Sequence, residues 1–560
     1  MTLDHERSVP VIQIGSSGED SIRDDAFALE TPMATVSYIS HGNVLIVAGE
    51  APERALRAAR SLASALHVTL LAAEPLAAGA SIACWTGRVE SIRGYLGQFD
   101  VTIPGLRTGA TAGASQAARF DLVLDFSRVP LFGARQPPQG YFRASDDDGA
   151  LELVLDELRD AVGEFEKPRY FAYRENLCAH RRSEIVGCNA CIEICSTEAI
   201  SSDGDKVKVD PHLCMGCGAC STVCPSGAMS YQFPRVSDRG AQIKRLLAAH
   251  RDAGGSDARI LFHDGAEGRA LLAAAASTGR GIVANVLPLE TWHVAAIGLD
   301  LLLPAVAYGA SQVIVLAGPA QDRQYLDALR AQMAIAQAVV TGLGYPGRHF
   351  VLLQAPDAAG LERELAATAP ASTVASPATF LPSDDKRTAI EFAVEHLAKH
   401  APQRVDEIIL EDGAPFGEIR VDREKCTMCM ACVGACPESA LMDGVDQPLL
   451  KFVERNCVQC GLCERTCPED AITLHPRLLL TPAVRETRLL NETQPFHCVS
   501  CGKPFGTRQV VEAMLGRLAG HSMFTQPEAL HRLKMCADCR VVDMMASKKE
   551  VSVLSLGDRS

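Results

Sequence analysis

Three stretches of this chain repeat one spacing of cysteines, Cys-x2-Cys-x2-Cys-x3-Cys-Pro. They are Cys214, Cys217, Cys220, Cys224, Pro225; then Cys426, Cys429, Cys432, Cys436, Pro437; then Cys457, Cys460, Cys463, Cys467, Pro468. Loops this short and this rich in thiols cannot build a core of their own. They fold around something that takes four thiolates at a time. Soft sulfur ligands in this run select iron–sulfur clusters, and the fourth cysteine of each run ligates the other cluster of a pair. Disulfides or sixteen-thiolate zinc sites would not need this repeat.

A fourth group is irregular. It reads Cys178, then nine residues, then Cys188, Cys191, Cys195 and Ser196. Its end, Cys-x2-Cys-x3-Cys, matches the last three cysteines of the run. Ile185 stands where the first ligand would fall, so Cys178 is the nearest upstream ligand, on a longer loop. Ser196 replaces the proline that turns the chain away from the cluster. A three-cysteine or [3Fe–4S] site is the alternative at Cys178.

The crossing rule then sets four ligand sets. One is Cys178, Cys188, Cys191 and Cys224; its neighbour is Cys195, Cys214, Cys217 and Cys220. In the second repeat they are Cys426, Cys429, Cys432 and Cys467, then Cys436, Cys457, Cys460 and Cys463. The expectation is four [4Fe–4S] clusters in two bacterial-type ferredoxin modules.

Four further cysteines form two Cys-x2-Cys knuckles, Cys498–Cys501 and Cys536–Cys539. Such knuckles make a tetrahedral single-ion site, with zinc the first choice and a rubredoxin-like iron the second. Gly502 relieves the turn after the second cysteine. Cys84 stands outside the scheme and reads as a small buried residue rather than a reactive thiol.

Around these sites the 560 residues read as an ordinary globular composition of several domains. The expected fold class is multidomain α/β plus α+β. An N-terminal α/β domain covers residues 1–165 and ferredoxin module I residues 166–237. A parallel-sheet α/β domain covers 238–375, and a linker and helix 376–418. Module II covers 419–480, and a zinc-ribbon-like domain 481–560.

Residues 1 to about 40 read as irregular. Val44–Ala48, Val68–Ala72 and Leu122–Leu124 read as strands, with a helix over Arg54–Leu66 after Pro52. The Gly105–Gly113 stretch does not follow a clear strand and lacks a dinucleotide fingerprint.

The central pattern alternates: strand Arg259–His263, helix Ala266–Ser277, strand Ile282–Leu287, helix Thr291–Tyr308 and strand Gln312–Ala317. Helix Asp322–Leu343, strand His349–Gln354 and helix Lys386–Lys399 follow. That alternation predicts a parallel sheet covered on both faces. Its ligand-accessible loops would be His263–Gly265 and Gly318–Pro319, and ordinary turn chemistry is the favoured reading of both.

With 54 Lys and Arg against 68 Asp and Glu, the net charge of −14 argues against nucleic-acid or anionic-membrane binding. The C-terminal segment from Cys498 is only slightly basic and has no aromatic stacking set. Met523, Met535, Met544 and Met545 give it soft apolar surface, for core or for docking. Val294–Gly318 is long enough to span a bilayer, but Asp300, Pro304 and Gly309 make it a buried helix, a stop and a buried strand. No signal pattern opens the chain, and thiolates at this density need a reducing compartment, so the cytoplasm is expected.

The phrases Gly163-Glu164-Phe165-Glu166-Lys167-Pro168, Pro211-His212-Leu213-Cys214-Met215-Gly216-Cys217 and His497-Cys498-Val499-Ser500-Cys501-Gly502 resemble a family of large bacterial 4Fe–4S ferredoxin-type proteins. That family is often encoded beside formate dehydrogenase, which implies redox protein partners. The central domain resembles the delta subunit of methyl-viologen-reducing hydrogenase, but lacks cysteines between Cys224 and Cys426. The function expected is an electron carrier or redox-complex subunit. The alternatives are an accessory or maturation factor for a molybdenum-type dehydrogenase, and a flavin-containing subunit; no sequence motif supports flavin.

Overall fold

The computed structural model describes residues 34–76, 82–108, 111–112, 116–182, 184–277, 282–319, 321–445, 447–524 and 526–546. The expectation for residues 1–33 and the side chain of Met523 lie outside them. The chain packs as two compact units. The first comprises 1–174, 190–203 and 207–402; the second comprises 175–189, 204–206 and 403–560.

In the first unit, the N-terminal sheet runs Tyr141–Arg143, Leu122–Asp125, Asn43–Val47, His67–Ala72 and Ala83–Thr86, all parallel. Short antiparallel strands extend its edge. Helices Pro52–Leu62 and Asp148–Asp160 bury Ala55, Leu62, Leu151 and Leu158 against one face. The other face packs on an antiparallel meander, Ser91–Tyr95, Gln98–Ile103 and Gln116–Phe120. Two expectations need correction. Thr35–Ser40 is a strand, paired antiparallel with Gly163–Pro168 through alternate buried residues. Gly105 does follow a strand, but that strand belongs to the meander rather than to a βαβ unit. Cys84 is half-buried and packs on the sheet core.

The central sheet is four parallel strands in the order Val286–Thr291, Arg259–Asp264, Gln312–Leu316, Phe350–Leu353. Helices Glu267–Ser277 and Ala358–Ala367 cover one face. Helices Leu299–Ala307 and Arg323–Gly342 pack against the strands as well. The strand expected at Ile282–Leu287 lies four residues later. Its polar end is tolerated because Glu290 pairs with Arg269. That shift also shortens the helix expected at Thr291–Tyr308 to Leu299–Ala307, after a turn at Val294–Ala296. Asp264 accepts from the amides of Ala266 and Gly268, so the loop after Arg259–Asp264 is helix-capping turn chemistry. Among the described residues, no helix is long and apolar enough to cross a membrane.

In the second unit, Ile472–Leu479 lies between Glu407–Ile409 and Gly417–Val421, antiparallel to both. Short helices Ala431–Ala435 and Leu462–Thr466 follow the ligand loops. Glu175–Asn189 belongs to this unit. Beyond them, a hairpin of Pro495–His497 and Pro504–Thr507 leads into helices Arg508–Leu518, Pro527–Arg532 and Ala537–Ala546.

Candidate metal centres

The three regular cysteine runs fold alike. The residues before and after the second cysteine are both left-handed: Gly216 and Gly218, Met428 and Met430, Gln459 and Gly461. Two such residues curl the backbone so that three thiols face one point. Glycine suits the position; at Gly216 a Cβ would lie 2.6 Å from the Tyr170 ring. The irregular group has no such pair at Gly187 and Asn189. There the nine-residue spacer, seven longer than in the regular runs, forms a hairpin, Arg181–Arg182 with Ile185–Val186. It is closed by Cys188 N donating to Ala179 O at 2.9 Å and Gly187 N to His180 O at 2.7 Å. The hairpin brings its ends together, leaving Cys178 one residue from the partner of Cys188.

Two cavities mark two of the expected sets. In the first unit, Cys195, Cys214, Cys217 and Cys220 line one together with Ile194, Ala199 and Tyr231. In the second unit, Cys436, Cys457, Cys460 and Cys463 line another with Ile419, Leu441 and Phe452. Burial raises these thiols, to about 11 at Cys214 and about 12 at Cys460. Neighbouring thiols add to it: Cys195 acts on Cys217, and Cys436 on Cys460. Cys432 is pushed up to about 12 by burial and then by Cys429, Cys426 and Cys467, the third expected set. Clustered apolar thiols that resist ionisation fit a group that binds them as thiolates and spreads their charge over iron. For Cys178, Cys188, Cys191 and Cys224, the structure gives Cys178 and Cys188 at the ends of one hairpin.

Several residues outside the runs seat them, and sequence reading missed these. Lys167, on Gly163–Pro168, donates to the carbonyls of His212 (2.7 Å) and Cys214 (2.8 Å). Burial lowers it to about 8, against the pull of Cys214 and Asp210. Tyr38 donates to the same His212 carbonyl at 2.7 Å. Two of the phrases that carry the family resemblance are therefore in contact. Lys386 donates to the carbonyls of Ser221 (2.8 Å) and Thr222 (2.7 Å), beside Cys224. Where the regular runs have proline, Ser196 bonds the Tyr325 hydroxyl and Gln136 Oε1. Tyr325 also packs with Cys217 in one buried cluster, and its hydroxyl favours the Cys217 thiolate. A donor to a ligand sulfur favours the more negative, reduced state. Tyr325→Phe should therefore lower one cluster potential by on the order of 50 mV. Redox titration followed by EPR would show it, and an unchanged set of potentials would remove Tyr325 from the site.

The C-terminal site differs in kind. The sulfurs of Cys498, Cys501, Cys536 and Cys539 all lie within 4.8 Å of one another, with Cys501 and Cys536 3.8 Å apart. A tetrahedron of sulfurs at about 2.3 Å from one ion has edges of about 3.8 Å, so the group fits a single ion. Gly502, at φ 74°, makes the turn that closes the knuckle, and Ser500 N donates to Cys498 Sγ at 3.4 Å.

Comparison with protein-family models gives two matches, each described as "4Fe-4S dicluster domain", over residues 186–228 and 425–472. The first begins after Cys178, and the second takes in all eight cysteines from Cys426 to Cys467. No curated protein matches the chain. Dicluster domains bind [4Fe–4S] clusters, and ferredoxin-type domains generally pass electrons to redox partners. This chain carries two 4Fe–4S dicluster domains, in a mixed α/β multidomain protein with a four-cysteine cluster near its C-terminus.

Proposed function

We propose that the chain is an electron-transfer protein holding four [4Fe–4S] clusters. The ligand sets are Cys178, Cys188, Cys191 and Cys224; Cys195, Cys214, Cys217 and Cys220; Cys426, Cys429, Cys432 and Cys467; and Cys436, Cys457, Cys460 and Cys463. The observation that carries the reading is the crossed neighbourhood of thiols. Cys195 lines one cavity with the run from Cys214, Cys436 lines another with the run from Cys457, and Cys467 packs in one core with Cys426 and Cys432. The clusters, when bound, store and pass single electrons at low potential. The chain's part is to bury the thiols, exclude water and aim donors at sulfur, as Met229 N does at Cys224 (3.4 Å) and Ala471 N at Cys467 (3.3 Å).

The partner we propose is a redox enzyme system such as formate dehydrogenase, on the family resemblance alone. Zinc is the proposed ion at Cys498, Cys501, Cys536 and Cys539. Iron and sulfide analysis of anaerobically purified protein tests the count, and fewer than about twelve irons per chain would defeat it.

A second reading, an accessory factor for a molybdenum-type dehydrogenase, draws on one feature. Helix Ala537–Ala546 leaves Val541, Val542, Met544 and Met545 exposed beside the four-cysteine site. Deleting the gene separates the two. A client enzyme that loses cofactor favours this reading, and one that keeps it but loses electron flow favours the carrier.

A further inference from the structure

The four-cysteine site and the second cysteine repeat lie in one compact unit, the second, and one helix joins them. The knuckle Cys498–Cys501 fills the bend of the hairpin made by Pro495–His497 and Pro504–Thr507. Cys498 N closes that bend by donating to Lys503 O at 2.9 Å. Val499 N donates to Lys534 O at 3.1 Å, which ties this knuckle to the one at Cys536–Cys539. Thr507 ends the hairpin and caps helix Arg508–Leu518, its side-chain oxygen accepting from Val510 N at 3.3 Å.

The same hydroxyl is also a donor. Thr507 Oγ1 donates to Thr427 O at 3.1 Å, and Thr427 follows Cys426 in the loop to Cys429. Thr507 is 9% exposed, so little water competes for the bond. In the last turn of the helix, Arg517 pairs with Glu469, two residues after Cys467. One helix is thus fastened to both loops that supply Cys426, Cys429, Cys432 and Cys467. Cys429 is exposed, so this ligand loop lies at the surface, where its own core cannot hold it on every side. The hold is only as firm as the hairpin, whose Phe505 packs on the small core of Cys498, Met535 and Cys536.

We propose that Thr507 is a positioning residue for the cluster of Cys426, Cys429, Cys432 and Cys467, and that the four-cysteine site holds Thr507 in place. The Thr507 hydroxyl turns the positive end of its dipole toward the ligand loop, which favours the reduced, more negative state. Helix Arg508–Leu518 keeps the Cys426 and Cys467 loops from parting. The four-cysteine site thereby steadies a redox centre without carrying an electron itself. This rests on the four-cluster reading above.

The test uses the full-length protein with its clusters. Wild type, Thr507→Val, Thr507→Ser, and Cys501→Ser combined with Cys536→Ser are first compared for iron and sulfide. An iron count too low for four clusters in the wild type defeats the four-cluster reading itself, apart from the role of Thr507. Potentials are then read by redox titration with EPR, the signal altered in Cys429→Ser identifying the cluster concerned. Iron release to bathophenanthroline is followed in parallel. Thr507→Val is expected to lower the potential of that one cluster and to release its iron about fivefold faster, the factor that one net hydrogen bond carries. Thr507→Ser, which keeps the hydroxyl, should restore both. The double cysteine variant should speed iron release from the same cluster. Should Thr507→Val lose iron during purification, Arg517→Ala carries the release comparison. Potentials and release rates equal to wild type in the variants that keep their iron would overturn the proposal, as would a double cysteine variant that releases iron no faster.

Discussion

Arg477→Ala is expected to destabilise the second unit by about 3–5 kcal/mol, the cost of breaking a buried pair by removing one partner. Arg477 donates to both carboxylate oxygens of Glu454, at 2.8 and 2.7 Å, and to Glu407 at 3.0 Å. Its side chain is 12% exposed and that of Glu454 3%. Arg488 also reaches Glu454 and Glu418, at 2.9 Å each, so some compensation survives and the lower end of the range is expected. Burial works to raise the Glu418 carboxyl. Arg488, Arg420 and Arg477 outweigh it and hold the group below the usual carboxylate range. A depressed acid stabilises above its unfolded value and loses that effect as pH falls through its folded one. The network is thus fully present at neutral pH and fades in acid, so the penalty of the variant should shrink there.

The site would feel the loss as well. Glu454 opens the turn Glu454–Asn456, and its carbonyl accepts from Cys457 N at 2.9 Å. Glu454, left with Arg488 alone, would move toward water and carry Cys457 with it. Urea unfolding and iron retention measured together check this. A change below about 1 kcal/mol would mean the pairs behave as surface ion pairs.

Removing the ion from Cys498, Cys501, Cys536 and Cys539 should unfold the C-terminal segment around it. Its small core is Cys498, Met535 and Cys536, with Phe505 and Cys539 packed on it. Most of that core is cysteine, so a bound ion would take the place of side-chain packing. Structural zinc contributes roughly 10 kcal/mol or more to such folds, far above what two or three apolar residues supply.

Protons compete for the site. Burial works to raise the Cys498 thiol, but amide hydrogen bonds from Cys536, Cys501 and Ser500 outweigh it and take it to about 6. A hydrogen bond with Ser500 works to lower Cys539, but the Cys501 and Cys536 thiols push it up to about 12. Binding an ion must therefore release protons, and affinity should fall as pH falls. Chelation at neutral pH, or Cys501→Ser with Cys536→Ser, should abolish hydrogen-exchange protection over residues 495–546. Protection that persists in the metal-free protein would show that the helices hold themselves. Metal analysis of the untreated protein tells colourless zinc from coloured iron.

Much of the site could be read directly from spacing, because ligand loops are local. Two thiols separated by two residues must turn back on each other, whatever surrounds them. The parallel central sheet was equally legible, since Gln312–Leu316 is apolar at every position except the first. What spacing could not show were the residues that arrive from afar. Tyr325, Lys386 and Lys167 sit in ordinary helices or strands, and only the folded chain brings them to the cysteine loops. Lys167 was inside a quoted phrase, yet nothing local marks it as buried. Strand Val286–Thr291 was misplaced for a related reason: Glu290 looks like a stop until its distant partner Arg269 is known.

Lys386 has a consequence for how the protein is made. Its ammonium closes the end of helix Ala219–Val223, and Tyr325 bonds the residue after Cys195. A ribosome releases Cys178 to Cys224 well before it reaches either residue. The first repeat is thus exposed as loose thiols while the central sheet is still being synthesised. Its final setting comes only when Lys386 has emerged. The second repeat draws its contacts from sequence made before it or shortly after it, and faces no such delay.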